Sequence, residues 1–261
     1  MAYSASLPDF DTRLTKSVHP PERPSLLPHP LLSYYDMLFA ALGPQHWWPG
    51  RTPFEVIVGA ILTQNTSWVN VERAVVNLRR ERLLHPAALK RVSTAKLSRC
   101  IRPSGYFRQK AQKLKALVRF LRKEYGGSLA RMFRTPTTEL RERLLDVYGI
   151  GPETADSILL YAGAHPVFVV DAYTRRILER HGQAHPRDPY EQIREQFEKH
   201  LPRHAPLYNE YHALIVRTGK DWCRKTNPRC GECPLRSFLP QPVTARVLSP
   251  AGSRKRAISA P

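Results

Sequence analysis

Leu144-Leu145-Asp146-Val147-Tyr148-Gly149-Ile150-Gly151-Pro152-Glu153-Thr154-Ala155 reads as an amphipathic helix that runs into a Gly-Ile-Gly turn and straight into a second helix. The two glycines allow positive φ and let a phosphate come close to the backbone. Their amides, with the free N–H groups of the helix that follows, form an anion site. Ile150 is expected to point back and pin the two helices together. An ordinary helical corner closed by a glycine cap also fits this stretch when it is read alone.

The surroundings are helical. Leu31–Leu42 suits a first helix, ended by Gly43-Pro44, and Thr52-Pro53-Phe54-Glu55 opens a second with capping-box spacing and a proline at its first position. Trp68, Val71, Val75 and Leu78 repeat every three to four residues along 67–80, and Ala111, Leu114, Leu117, Val118 and Leu121 do so along 108–125. Thr138 starts another helix, and Asp188-Pro189-Tyr190-Glu191 starts a late one by capping logic. Only Val167–Val170 has strand character, and it is too short to build a sheet. The fold class is therefore all-α.

Charge points to the partner. The 261 residues hold 41 Lys and Arg against 22 Asp and Glu, a net +19, and residues 31–239 alone carry +15. That imbalance on a folded body predicts a polyanionic partner, gripped through phosphate contacts that release counterions. Residues 1–30 hold six prolines and no net charge, and 240–261 are a short basic segment, so both read as flexible tails. There is no apolar run long enough to span a bilayer. The amino terminus lacks the basic start and apolar stretch of a signal peptide. The expectation is a cytoplasmic, nucleoid-associated monomer with no membrane partner.

Phe168-Val169-Val170-Asp171 then brings a carboxylate to the entry of a helix over Ala172–Arg180. An aspartate there is by default an N-cap. Yet Gly-Ile-Gly-x-x-Thr-Ala followed twenty residues later by Val-Asp resembles the helix-hairpin-helix glycosylase superfamily typified by endonuclease III. The resemblance covers roughly 31–239. It implies two helical lobes with a DNA-binding cleft between them. Residues 52–162 would form the central lobe with the hairpin, and 31–51 with 163–239 the terminal lobe. It also implies that Gly149, Ile150, Gly151 and Thr154 contact DNA and that Asp171 is catalytic. Excising a base requires flipping it from the stack. A fixed carboxylate can then stabilise the oxocarbenium character that develops on the sugar and orient the attacking water.

Lyases of the endonuclease III kind carry a lysine two residues after the second hairpin glycine. Here that position is Glu153, which cannot form an imine; as a first-turn acid it also complements the helix dipole. Further matches sharpen the substrate. Trp47-Trp48-Pro49, the stretch from Phe54 through Gln64 to Trp68, and Arg102–Ala111 resemble 3-methyladenine DNA glycosylase III. That likeness places Gln64 where a side chain fills the gap left by the flipped nucleotide, and Trp47 and Trp68 where rings sandwich the damaged base. An N3-alkylated adenine is cationic, and an indole face attracts cations by about 0.5–2 kcal/mol. Core packing is the plain alternative for the tryptophans, and a surface position for Gln64. That branch also has a lysine directly after the aspartate, where this chain has Ala172.

Cys223, Cys230 and Cys233 keep the first three positions of the C-x6-C-x2-C-x5-C set that holds a [4Fe–4S] cluster in the endonuclease III family. The fourth position is Leu239. Three readings stay open: a cluster on three thiolates with a fourth ligand from elsewhere, a metal-free loop, or zinc with His200 or His204. Cys100 lies in an apolar helical pattern and reads as buried.

The function expected is that of a monofunctional DNA glycosylase acting on duplex DNA with damaged bases, alkylated purines above all. A glycosylase/lyase for oxidised pyrimidines and a noncatalytic damage-binding module are the alternatives.

Overall fold

The computed structural model describes residues 29–240, and their regular elements are all helical. In chain order they are α1 (Pro30–Leu42), α2 (Pro53–Leu62), α3 (Trp68–Arg80), α4 (Pro86–Arg91), α5 (Thr94–Cys100), α6 (Phe107–Tyr125), α7 (Leu129–Met132), α8 (Thr137–Leu145), α9 (Pro152–Ser157), α10 (Ala172–Arg180), α11 (Tyr190–His200) and α12 (Ala205–Asp221). No strand occurs among the described residues, and Val167–Val170 is a buried connecting segment. No helix of the described residues is long and apolar enough to cross a membrane. The expected tails over 1–30 and 240–261 lie outside the described residues, with small exceptions at their inner ends. Pro30 opens α1 and His29 caps it, its Nδ1 accepting from the Leu31 amide at 3.3 Å.

Local chemistry sets the helix starts. Thr52 Oγ1 accepts from the Glu55 amide at 3.2 Å, which satisfies one orphan donor of α2. Glu55 does not complete the reciprocal box; its buried carboxylate pairs with Arg79 at 2.7 Å. The expected cap at Asp188 is not made. Asp188 Oδ2 accepts from the His185 amide at 2.7 Å instead, and Pro189 stands at the start of α11. Helices α4, α5 and α7 are 6, 7 and 4 residues long, too short for an apolar period to mark them.

Two cores result. One gathers Ile57, Leu62, Leu78, Leu97, Leu114, Leu144, Ile150 and Ile158, from α2 through α9. The other gathers Leu31, Leu38, Phe168, Ile177, Phe197, Tyr208 and Tyr211, from α1 and α10–α12. Each such side chain contributes about 1.5–3 kcal/mol by leaving water. At the seam, α9 continues as one wide π-helical turn, Ile158–Ala162. Ile158 and Leu159 enter the first core and Leu160 the second. A buried ionic network crosses the same seam. Arg141 of α8 donates to Asp156 at 2.6 and 3.0 Å and to Glu191 of α11 at 2.8 Å. Tyr190 donates to Asp156 at 2.8 Å and accepts from the Val170 amide, one residue before Asp171.

Candidate active site and nucleic-acid interface

The hairpin is built as its residues demand, with one difference between its glycines. Gly149 sits at φ +78°, and a Cβ there would lie 2.4 Å from the Lys113 side chain. Gly151 sits at φ −97°, in extended backbone, with open space where a Cβ would be. Positive φ is thus required at Gly149 alone; what Gly151 supplies is clearance. Neither amide has an acceptor among the described residues. Ile150 is 5 % exposed and packs into the first core, tying the two helices as expected. Thr154 is buried, and its hydroxyl turns inward to accept from Gln64 at 2.9 Å.

Gln64 is no free surface residue. Its amide also donates to the Gly149 carbonyl at 3.1 Å and its oxygen accepts from Lys113. The turn after α2 is therefore fastened to the hairpin, and Asn65, exposed at φ +53°, stands at its tip. Lys110, buried beneath, donates to the carbonyls of Leu62 at 2.8 Å and Ser104 at 2.7 Å and so closes the end of α2. Burial lowers its ammonium to about 8.

Asp171 caps α10 and remains available for chemistry. Its Oδ1 accepts from the Thr174 amide at 2.8 Å and the Thr174 hydroxyl at 3.0 Å. Its Oδ2 is left for His212 of α12, whose Nε2 lies 3.7 Å away. The default capping reading and the catalytic reading are compatible, because they use different oxygens. Glu153 reaches solvent, and its carboxyl is raised to about 7. Incomplete hydration is the larger cause and the charge of Asp171 the second; Arg175 opposes both. It is more than a solvated first-turn acid, since it shares its surroundings with Asp171.

The aromatic wall lies alongside. Trp47, Trp48, Trp68 and Tyr161 form one cluster, with Trp48 to Trp68 at 5.1 Å and Trp48 to Tyr161 at 5.0 Å between ring centres. Trp47 and Trp68 are brought together but not as a sandwich. Their centres are 6.1 Å apart and their planes meet at 48°, so no flat slot separates them. Trp68 is oriented by donating to Glu72 at 2.7 Å. Burial, with the charges of Asp171 and Glu153, raises the Tyr161 phenol well above its ordinary value, and the buried indole N–H of Trp47 finds no acceptor at hydrogen-bond geometry. Lys220 stands 5.9 Å from the centre of the Trp47 ring, a cation already on an indole face. Residues that local sequence patterns missed are Tyr161, His212, Lys113 and Lys220. None carries a motif of its own, and only the packing of α6, α9 and α12 gathers them.

These features converge on a carboxylate fixed at the end of a helix, flanked by a hairpin with free amides and a wall of indoles, on a strongly basic chain. Residues 58–203 match the model of the HhH-GPD superfamily base excision DNA repair protein. The chain belongs to that superfamily. Among its HhH-GPD relatives is a Methanocaldococcus jannaschii protein named "Putative DNA repair glycosylase", 48 % identical over 78 % of this chain and 93 % of its own length. The endonuclease III of Thermotoga maritima is 32 % identical over 71 % of this chain and 81 % of its own. Among solved structures, the H. pylori 3-methyladenine DNA glycosylase bound to 1,N6-ethenoadenine superposes with a TM-score of 0.62. It is 32 % identical, over 73 % of this chain and 94 % of that one. A non-covalent endonuclease III–DNA complex gives 0.71 at 23 % identity, over 82 % and 96 %. The all-α expectation holds, and the protein is a DNA glycosylase of the endonuclease III family in base excision repair.

The cysteine loop departs from the fuller family pattern. Cys223 is buried, Cys230 and Cys233 half-buried. Among the described residues no group of three or more His, Cys, Asp or Glu is arranged to hold a metal ion. His200, one candidate for zinc, stacks on His29 at 3.6 Å and donates from Nδ1 to the Gln196 carbonyl at 2.8 Å. Three thiols, with Leu239 in the fourth place, do not fit a four-thiolate cluster. Arginines of α10 hold the loop. Arg176 donates to the carbonyls of Cys223 at 2.6 Å and Gly219 at 3.2 Å, and Arg180 donates to Cys223 Sγ at 3.1 Å.

Proposed function

We infer that this glycosylase is monofunctional and removes alkylated purines from duplex DNA, with Asp171 as its catalytic carboxylate. The observation that carries the reading is the pairing of Asp171 with Glu153. A helix cap fixes one oxygen of Asp171 and leaves the other without a hydrogen bond, 3.7 Å from His212. The residue beside it, where lyases place an amine, is another carboxylic acid. With a nucleotide flipped out, the glycosidic bond breaks with its electron pair leaving on the base. Asp171 stabilises the positive charge growing on C1′, and water adds there after losing its proton to Asp171 or to solvent. A cationic alkylated base leaves readily, so the site needs little acid assistance. The indole cluster supports this substrate class, because Trp47 accepts a cation on its face in the form of Lys220. Similarity to a 3-methyladenine glycosylase supports it as well.

The test is a panel of single-lesion duplexes carrying methylated purines, uracil or oxidised pyrimidines, scored with and without hot alkali. Breaks at methylated purines that need alkali are expected. Breaks at oxidised pyrimidines without alkali, trapped by borohydride, would put a lyase in its place, with Lys220 the first amine to substitute. In a complementary gain of function, Glu153→Lys is expected to give a borohydride-trapped DNA adduct that the unsubstituted enzyme does not give.

A further inference from the structure

His212 is a buried imidazole without an obvious task. It sits at 5 % exposure near the middle of α12. Its Nδ1 is 2.6 Å from the Tyr161 hydroxyl, and its Nε2 has no hydrogen-bond partner, although Asp171 Oδ2 stands 3.7 Å away. These two contacts fix the imidazole. An ionised carboxylate can only accept, so a lone pair on Nε2 would face a lone pair on Asp171. The arrangement free of that clash has Tyr161 donating to Nδ1 and the ring proton on Nε2, aimed at Asp171. Burial favours the neutral ring, which this chain of donors requires.

We propose that Tyr161 and His212 are positioning residues for Asp171. The tyrosine hydroxyl sets the Nε2–H tautomer of the imidazole, and that N–H steers Asp171 Oδ2 as the carboxylate closes on the sugar of a flipped nucleotide. The proposal rests on the glycosylase reading of Asp171. The 3.7 Å gap is longer than a hydrogen bond, and catalytic hydrogen bonds commonly tighten only when substrate is bound. Oδ1 is anchored by the helix cap, so a bond to Oδ2 would remove the remaining freedom of the side chain about its terminal torsion. Tyr161 also touches Trp48 of the aromatic wall. A base stacked on that wall therefore presses on the residue that sets the tautomer, and substrate occupancy is communicated to the carboxylate through two side chains.

Two measurements test this independently. Long-range nitrogen–proton spectra of the free enzyme at neutral pH should place the His212 proton on Nε2. Tyr161→Phe, which keeps the ring and its contact with Trp48, should give a mixture of tautomers. In single-turnover excision, Tyr161→Phe and His212→Met should slow the chemical step roughly ten- to a hundredfold. Their affinity for a duplex carrying an uncleavable abasic analogue should stay within about twofold. His212→Gln, which retains an amide N–H near the Nε2 position, should recover most of the rate lost in His212→Met. A proton on Nδ1 in the unsubstituted enzyme, or a His212→Met rate equal to the parent, would overturn the proposal. If no lesion is excised, the catalytic reading of Asp171 falls while the tautomer measurement still decides the geometry.

Discussion

The hairpin side of the cleft and the cysteine loop both descend from family patterns, and they have fared differently. Around Gly149, Gly151 and Asp171 the residues on which the proposed reading rests are all in place. Around Cys223, Cys230 and Cys233 one ligand position is a leucine, yet the loop still closes on α10. The difference lies in what each region must supply. The proposed chemistry needs a carboxylate at one point. Holding a loop needs only enough hydrogen bonds, and two guanidiniums can provide them. Guanidinium bonds to carbonyls and sulfur are charge-assisted and individually strong.

The largest effect that would sharpen this contrast is on the rate. Asp171→Asn should keep DNA binding and slow excision by about 10²–10⁴ in single turnover; undiminished excision would remove the catalytic half of the comparison. Next, Arg176→Ala leaves two carbonyls without their charged donor and should lower stability by about 1.5–3 kcal/mol in denaturant titration. Gly149→Ala forces a side chain into left-handed backbone against Lys113 and should cost about 1–3 kcal/mol. Gly151→Ala, in extended backbone and open space, should stay within about 0.5 kcal/mol of the parent. It should nonetheless weaken DNA affinity, because its methyl stands where a phosphate would approach. Equal losses of stability at the two glycines would show that the hairpin is not divided in this way.

A smaller effect concerns Glu153. Its carboxyl is raised to about 7 in the fold from an ordinary 4.5, so between those values the folded state binds more protons than the unfolded. Stability therefore declines as pH rises through that window. Glu153→Gln removes the penalty, and its melting temperature should exceed the parent's at pH 8 but not at pH 4.5. Because Glu153 is accessible, screening limits the gain to about 1 kcal/mol or less, roughly 2–4 °C. Smallest of all, Cys230→Ser should change stability by under about 0.5 kcal/mol, and chelator treatment should leave the melting curve in place. A large loss from either would restore a metal to the loop.

How far the sequence reading reached follows from the same physics. Asp171 and the hairpin were legible because backbone turns and helix starts impose their residues locally, within a few positions. The long helices α3 and α6 were legible because each buries one face, which writes a period into the chain. Helix α12 escaped because residues such as Tyr208, Tyr211, His212, Ile215 and Thr218 are buried on more than one face, so no amphipathic stripe marks it. His212 and Tyr161 are 51 positions apart, and only the packing of α12 against the seam turns two unremarkable residues into a pair. The resemblance placed Trp47 and Trp68 on either side of a base but could not give their tilt; Trp68 is turned by its bond to Glu72.

The wide turn at Ile158–Ala162 has a consequence for how this helix can change. A π turn is an α-helix that has accommodated an additional residue. The turn closes the helix at Gly163, with Ile158 and Leu159 in the first core and Leu160 and Tyr161 against the second. Deleting a single residue from the turn would restore a regular spiral and rotate its last residues by about 100° against those before them. The apolar residues would then trade partners between the two cores, and Tyr161 would swing off His212. Insertions and deletions in this helix are consequently filtered by phase as well as by length, and its length is tied to the direction in which one phenol points.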